Sequence, residues 1–443
     1  MKIMPTLVLL AVMTLPASAQ DIGRMEQVVQ ASVQKKTFMG TVLVARGREI
    51  LLDKAYGSAN LEWDIPNTPT TKFRLGSITK QFTAASILLL EERGKLKISD
   101  PLKTHMPDAP PAWDGITIYH LLTHTSGIPN FTALPSYRQL QPFESPVAKT
   151  IEAFRDKPLD FAPGERMSYS NSGYLVLGHL IERVSGGSYA TFLKDNIFSP
   201  LGMNDSGFDS NTEIITRRAA GYTPRPNGPV NAGFIHMTIP HAAGSLYSTT
   251  HDLLRWEQGL FAGKVVSPAS LQKMTTPFKN DYALGVSVRT PKDRKSIEHG
   301  GGIEGFNTSM SYYPDSKITV IVLSNLNGPA ADELGRFLGV LAHGDSVTLI
   351  SERKEITLSP TVLATYVGNY QMPAGATMAI TLDGDRLMGQ LTGQGRNQLF
   401  AESERMFFLK VVDAQIEFVK DGTGAVTHLV LYQGGRDMRA AKK

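Results

Sequence analysis

Ser77 and Lys80 stand three residues apart in the run Phe73-Arg-Leu-Gly-Ser-Ile-Thr-Lys80. On a helix this spacing puts both side chains on one face, a single turn apart. A serine hydroxyl is a poor nucleophile until a base takes its proton. A neighbouring lysine can be that base, or can tune another, if burial and nearby positive charge lower its pKa. By itself Ser-x-x-Lys also describes a helix N-cap followed by a solvated lysine. Two further elements bear on the choice. In Tyr169-Ser170-Asn171, a phenol can relay a proton and an Asn amide can orient a substrate carbonyl; the plain alternative is a helix N-cap at Asn171 or Ser172. In His299-Gly300-Gly301-Gly302, side-chain-free residues let a substrate lie close against a strand edge, and a backbone N–H can serve an oxyanion. The alternative there is a flexible turn.

These residues need elements to hold them. From about Ser77 to Arg93 the pattern is helical, with Gly94 as a stop. Ser86 to Leu90 is apolar nearly all round, which predicts a helix buried on most sides. A second helix is expected from about Gly173 to Val184. Met39 to Arg46 and Glu49 to Tyr56 read as a hairpin turning at Gly47, and Thr308 to Tyr313 with Lys317 to Ser324 as another. Ala330 to Leu341 reads as a helix covering the sheet. Strands at both ends thus enclose a middle rich in loops and helices. Beyond Gly344 the texture changes to short strands: Tyr366 to Gln371, Thr377 to Leu382, Arg386 to Leu391, Arg405 to Val411, Gln415 to Lys420 and Ala425 to Tyr432. Asp383-Gly384 and Asp421-Gly422 are hairpin turn signals. This is the pattern of a separate small β-barrel or sandwich.

With 443 residues, 42% apolar and 19% charged, the chain has the size of two globular domains. It has no cysteine, which excludes disulfides, thiolate metal sites and a cysteine nucleophile. The net charge of +4 is spread thinly, with no basic run interleaved with aromatics, so no nucleic-acid partner is expected. Lys2, the apolar run Leu7 to Met13 and Ala17-Ser18-Ala19 read as a cleaved secretory signal over residues 1–19. A periplasmic or secreted bacterial protein is expected, with no membrane association after cleavage.

The three motifs, in this order, resemble the serine β-lactamase and penicillin-binding superfamily, in its class C-like branch, whose nucleophile motif is Ser-x-x-Lys. The likeness extends through His120-Leu-Leu-Thr-His124-Thr-Ser-Gly-Ile-Pro, Phe161 to Tyr174, Pro200-Leu-Gly-Met-Asn and Ala243-Gly-Ser-Leu-Tyr. It covers roughly residues 25 to 345. The resemblance implies an α/β fold of β-lactamase/transpeptidase type, an antiparallel sheet flanked by helices with a helical subdomain beside it. It implies that Ser77 is the acylated nucleophile, Lys80 its proton-accepting neighbour and Tyr169 a partner in base catalysis that later protonates the leaving group. Asn171 would bind the substrate amide, and the backbone N–H groups of Ser77 and Gly302 would form the oxyanion hole. His299 stands where a strand lysine is common. No cofactor is implied, and the partner is a small-molecule or short-peptide substrate.

The expected organisation is therefore a signal over 1–19, a hydrolase domain over 20–345, a linker over 346–357 and a C-terminal all-β barrel over 358–443. The barrel resembles the lipocalin-like extension of some such hydrolases. Its plain role is stabilisation or assembly, its alternative a cap on the active-site mouth. Because histidine titrates near pH 6.5, carboxylate anchoring at His299 should be weaker than at a lysine and vary between about pH 6 and 8. Three activities remain open. They are hydrolysis of β-lactam or D-amino-acid peptide amides, carboxylester hydrolysis at the same residues, and a silent penicillin-binding sensor. His120 and His124, four apart, could share a helix face as metal ligands do, but no third ligand accompanies them. Trp63, Trp113 and Trp256 read as packing or pocket walls, and Tyr247 as a candidate site lining.

Overall fold

The computed structural model describes residues 19–443. The signal-like stretch before them lies outside the described residues. The chain falls into two compact units. One comprises residues up to Val286 with 299–312 and 316–345; the other comprises 287–298, 313–315 and 346–443.

A six-stranded sheet has the strands β1 (Gly40–Arg46), β2 (Glu49–Tyr56), β3 (Ser287–Arg289), β4 (Ser296–Ile303), β5 (Phe306–Tyr313) and β6 (Ile318–Ser324), in the order β3-β4-β5-β6-β1-β2. β1 pairs antiparallel with both β2 and β6, Leu43 facing Ile321. β6 is Ile-Thr-Val-Ile-Val-Leu-Ser and is buried at every position. Such β-branched runs suit a strand covered on both faces. The covering helices include α1 (Ala19–Gln34), α4 (Thr250–Phe261) and α5 (Ala330–Ala342), and the two site helices are α2 (Thr79–Glu92) and α3 (Asn171–Ser185). α2 is buried from Thr79 to Leu90, as its all-round apolar sequence demands. Its first turn is a tight 3-10 segment, Gly76–Ile78, so Ser77 sits just before the regular helix.

Trp113 and Trp256 are core residues, and Trp256 stacks on Phe82 at 4.2 Å. Trp63 departs from its expected packing role: it is 78% exposed.

The second unit contains a closed barrel of eight antiparallel strands, β7 (Gly368–Gln371), β8 (Thr377–Asp383), β9 (Arg386–Leu391), β10 (Asn397–Ala401), β11 (Met406–Phe408), β12 (Ala414–Lys420), β13 (Val426–Gln433) and β14 (Arg436–Lys442). The sequence suggested six. β10 and β14 were not visible because their side chains do not alternate cleanly; only Ala440 is buried in β14. Backbone pairing defines that strand instead, since it bonds to β13 on one side and β7 on the other and closes the cylinder. The barrel interior is filled by Tyr366, Tyr370, Phe407 and Phe418, with Tyr366 and Phe418 stacked at 4.5 Å. A cavity of about 60 Å³ opens among its side chains. That is room for little more than two waters.

Candidate active site

Burial of α2 brings Lys80 out of water: its side chain is 0% exposed. Three oxygens lie within hydrogen-bond distance of Nζ. They are Ser77 Oγ at 3.1 Å, Asn171 Oδ1 at 2.9 Å and the Ala243 carbonyl at 2.8 Å. No carboxylate is among them. Burial holds the Lys80 amine well below the usual lysine range. A neutral amine has two N–H donors and one lone pair. Asn171 Oδ1 and the Ala243 carbonyl take the donors, which leaves the lone pair to the Ser77 hydroxyl. This is the arrangement a general base needs. The rings of Tyr169 and Tyr174 lie 4.8 and 5.4 Å from Nζ and complete its desolvation.

Ala243 lies in a short helix, His241–Gly244, packed against α3. Gly178 of α3 permits this, because a side-chain carbon there would come within 2.5 Å of Ala242. Asn171 opens α3, with its N–H bonded to Asn130 Oδ1 at 3.1 Å.

The loop before α3 is held by His124. The His124 carbonyl accepts from Ser168 N–H at 2.9 Å, and Nδ1 accepts from Ser170 N–H at 3.2 Å. Tyr169, between them, is clamped on both sides, its ring 4.2 Å from the imidazole. His124 is buried, has a φ of +57°, and is held neutral by burial and then by Lys80. The metal alternative for His120 and His124 finds no support in this geometry: His120 instead forms a reciprocal cap with Thr117. Burial raises the Tyr169 pKa above the ordinary tyrosine value, with Ser77 acting in the opposite direction. It is a neutral acid, although the residue is 37% exposed.

β4 passes on the other side of Ser77. A side-chain carbon at Gly76 (φ +55°) would sit 2.8 Å from the Gly302 nitrogen, so the two backbones that carry the Ser77 and Gly302 amides run side by side. Gly301 has a different job from the expected substrate contact. It does not line the cleft, and an added carbon would fall 1.9 Å from the Leu75 carbonyl. Its lack of a side chain is what lets β4 approach.

The expected titration of His299 between pH 6 and 8 needs correction. His299 is buried, its Nδ1–H donates to the Gly300 carbonyl at 2.6 Å, and Nε2 accepts from Tyr282 Oη at 3.2 Å. Both nitrogens are used as in a neutral ring. Burial, then Lys80, pushes its pKa down to about 4. The imidazole therefore carries no charge to a substrate carboxylate anywhere from pH 6 to 8.

The cleft beside these groups has a volume of about 450 Å³. It is lined by Ser77, Asn171, Gly302, Phe131, Tyr137 and Glu304 among others. Tyr247 lines a different cavity, with Asp209 and Phe208. Tyr282 escaped the sequence reading, and Ala243 and His124 were named there without the roles they take here. Ala243 acts through its backbone and carries no residue-type signal, while Tyr282 lies outside every motif.

The profile of the family described as Beta-lactamase matches residues 25–344, and that of a domain of unknown function, DUF3471, matches 352–442. The chain belongs to the β-lactamase family. It is 31% identical over 437 residues to penicillin-binding protein 4* of Bacillus subtilis, covering 92% of this chain and 96% of that one. Among solved structures it resembles the octameric penicillin-binding protein homologue from Pyrococcus abyssi, with 26% identity, a TM-score of 0.68, and 95% and 100% of the two chains covered. The D-stereospecific amidohydrolase from Streptomyces sp. shares the fold, at 22% identity and a TM-score of 0.64 over 73% of this chain and 99% of that one. A serine hydrolase of the amide- and β-lactam-directed type is the class that this family membership supports.

Proposed function

We propose that this protein is an exported serine hydrolase that forms an acyl-enzyme at Ser77 from β-lactam or D-amino-acid peptide amides. Ser77 Oγ attacks the carbonyl carbon as its proton passes to Lys80 Nζ. The oxyanion forms against the Ser77 and Gly302 backbone amides. The C–N bond breaks, and the leaving nitrogen takes a proton by way of Tyr169. Water then cleaves the ester, releasing the acid and restoring the Ser77 hydroxyl. The observation that carries this reading is the Lys80 amine, buried without a counter-charge and aimed at Ser77 Oγ from 3.1 Å. Tyr169, a neutral phenol whose ring lies 4.8 Å from Lys80 Nζ, supports the division of labour: the lysine accepts, the phenol donates.

A carboxylesterase using the same side chains is the second reading. One observation favours it: no cationic side chain lines the cleft among the described residues, so nothing there demands the carboxylate of a β-lactam.

The test is a brief exposure to a chromogenic cephalosporin, D-alanyl peptides and a p-nitrophenyl ester, with adducts located by peptide mass spectrometry. The expected adduct is on Ser77, with turnover lost in Ser77→Ala. An adduct on another residue, or hydrolysis surviving Ser77→Ala, overturns the mechanism. Fast ester turnover with no action on the amides selects the second reading, and a stable adduct without turnover selects a sensor.

A further inference from the structure

We propose that Glu304 sets the substrate charge, receiving a cationic amine on the acyl side of the scissile bond and turning away acyl groups that carry a carboxylate. The inference rests on the serine-hydrolase reading and narrows its substrate class to amine-bearing acyl donors.

Glu304 is the only acidic or basic side chain lining the cleft among the described residues. It follows Gly302 by two residues, and two residues of chain span at most about 7 Å. A carboxylate there lies within reach of an amine close to the acyl carbonyl. The turn that carries it is rigidly built. Asn327 Nδ2 donates to the Ile303 carbonyl at 3.0 Å and the Phe306 carbonyl at 3.3 Å, and its Oδ1 accepts from Gly305 N–H at 2.8 Å. Gly305, at φ +82°, packs so closely on Gly221 that an added carbon would stand 2.4 Å from its Cα. The carboxylate is aimed as well as placed: Gln141 Nε2 donates to Oε1 at 2.5 Å.

Burial raises the Glu304 pKa above the ordinary carboxylate value, a backbone hydrogen bond, Arg74 and Gln141 oppose it, and the residue lines the cleft. Arg74, whose charge acts on Glu304, gives its Nε to Asp209 at 2.7 Å and does not line the cavity. Tyr137 lines the same cleft, and burial, then Glu304, raises its phenol pKa. Lys80 and His299 are held neutral by burial. An anionic acyl substituent would meet one carboxylate and no cation. An ammonium would gain a charge-assisted hydrogen bond in a half-buried site, a change of about tenfold or more in binding.

The experiment uses the full chain and a neutral fluorophosphonate that labels activated serines. Protection of Ser77 from labelling is measured with D-phenylalaninamide, its N-acetyl derivative and its N-succinyl derivative, which are cationic, neutral and anionic. The expected order of protection is cationic, then neutral, then anionic, with the first step about tenfold. Glu304→Gln should erase that step, and Glu304→Lys should reverse the order. An order unaffected by both variants overturns the proposal for Glu304 while leaving the serine hydrolase standing. Failure of the probe to label Ser77 at all removes the underlying reading instead.

Discussion

Two buried polar groups in the catalytic unit are built on opposite principles. Asp209 has no exposed side-chain surface and meets two guanidinium groups. Arg74 Nε donates to it at 2.7 Å, and Arg218 makes a second ion pair with it. Lys80 is equally buried and meets only a hydroxyl, an amide oxygen and a peptide carbonyl. Opposite charge offsets the cost of burial at Asp209, which ties strand residue Arg74, just before Ser77, to the loop carrying Arg218. At Lys80 the cost is relieved by losing the proton. Burial with a counter-ion makes a brace, and burial without one makes a base.

Replacing each group should separate the two roles. Lys80→Met should lower hydrolysis by roughly 10²–10⁴-fold, read as kcat on a chromogenic substrate. It should not lower stability near neutral pH. The folded lysine is neutral while the unfolded one is protonated up to its ordinary value of 10.5. The unfolded state thus binds the extra proton, and wild-type stability rises with pH from the depressed folded value up to 10.5. The Met variant should lack this part of the slope in urea titrations. A Met variant that is active, or that keeps the wild-type slope, would break the comparison at Lys80.

Asp209→Ala strands two arginines and should cost about 3–5 kcal/mol of stability, with activity falling only as folded protein is lost. Chemical denaturation measures it. Unchanged stability would show that the arginines find water and that the brace is weak.

His299 sharpens the comparison with a smaller effect. Its folded pKa of about 4 lies below the ordinary 6.5, so between these values the unfolded state again holds more protons. This contribution to stability is complete above pH 6.5 and is lost as pH falls toward 4, by about 3 kcal/mol in all. His299→Gln should flatten the wild-type curve in that window. A wild-type-minus-variant difference that stays level from pH 7 to 4 would mean the ring is charged in the fold.

Much of the architecture was legible. The all-round apolar helix after Ser77 and the two hairpins reflect side-chain periods that any covered helix or half-covered strand imposes. The last barrel strand was not legible, because β14 is held by backbone bonds to two neighbours and shows almost no apolar pattern. At the site, Ser77, Lys80, Tyr169 and Asn171 could be singled out by type and spacing. His299 could be named but its charge could not, and Glu304 stood unremarked inside a glycine-rich run.

The amino-acid sequence by itself determined which groups can donate, accept or attack, and which elements present them. Only the tertiary structure decided their protonation. The neutrality of Lys80 depends on the burial of its amine by the side chains and backbone packed around it, with no carboxylate among its hydrogen-bond partners. Desolvation is a sum over everything packed around a group, and those contributors are scattered along the chain. The sign of charge in the cleft follows from the same sum, for it removes the amine and the imidazole from the count and leaves Glu304.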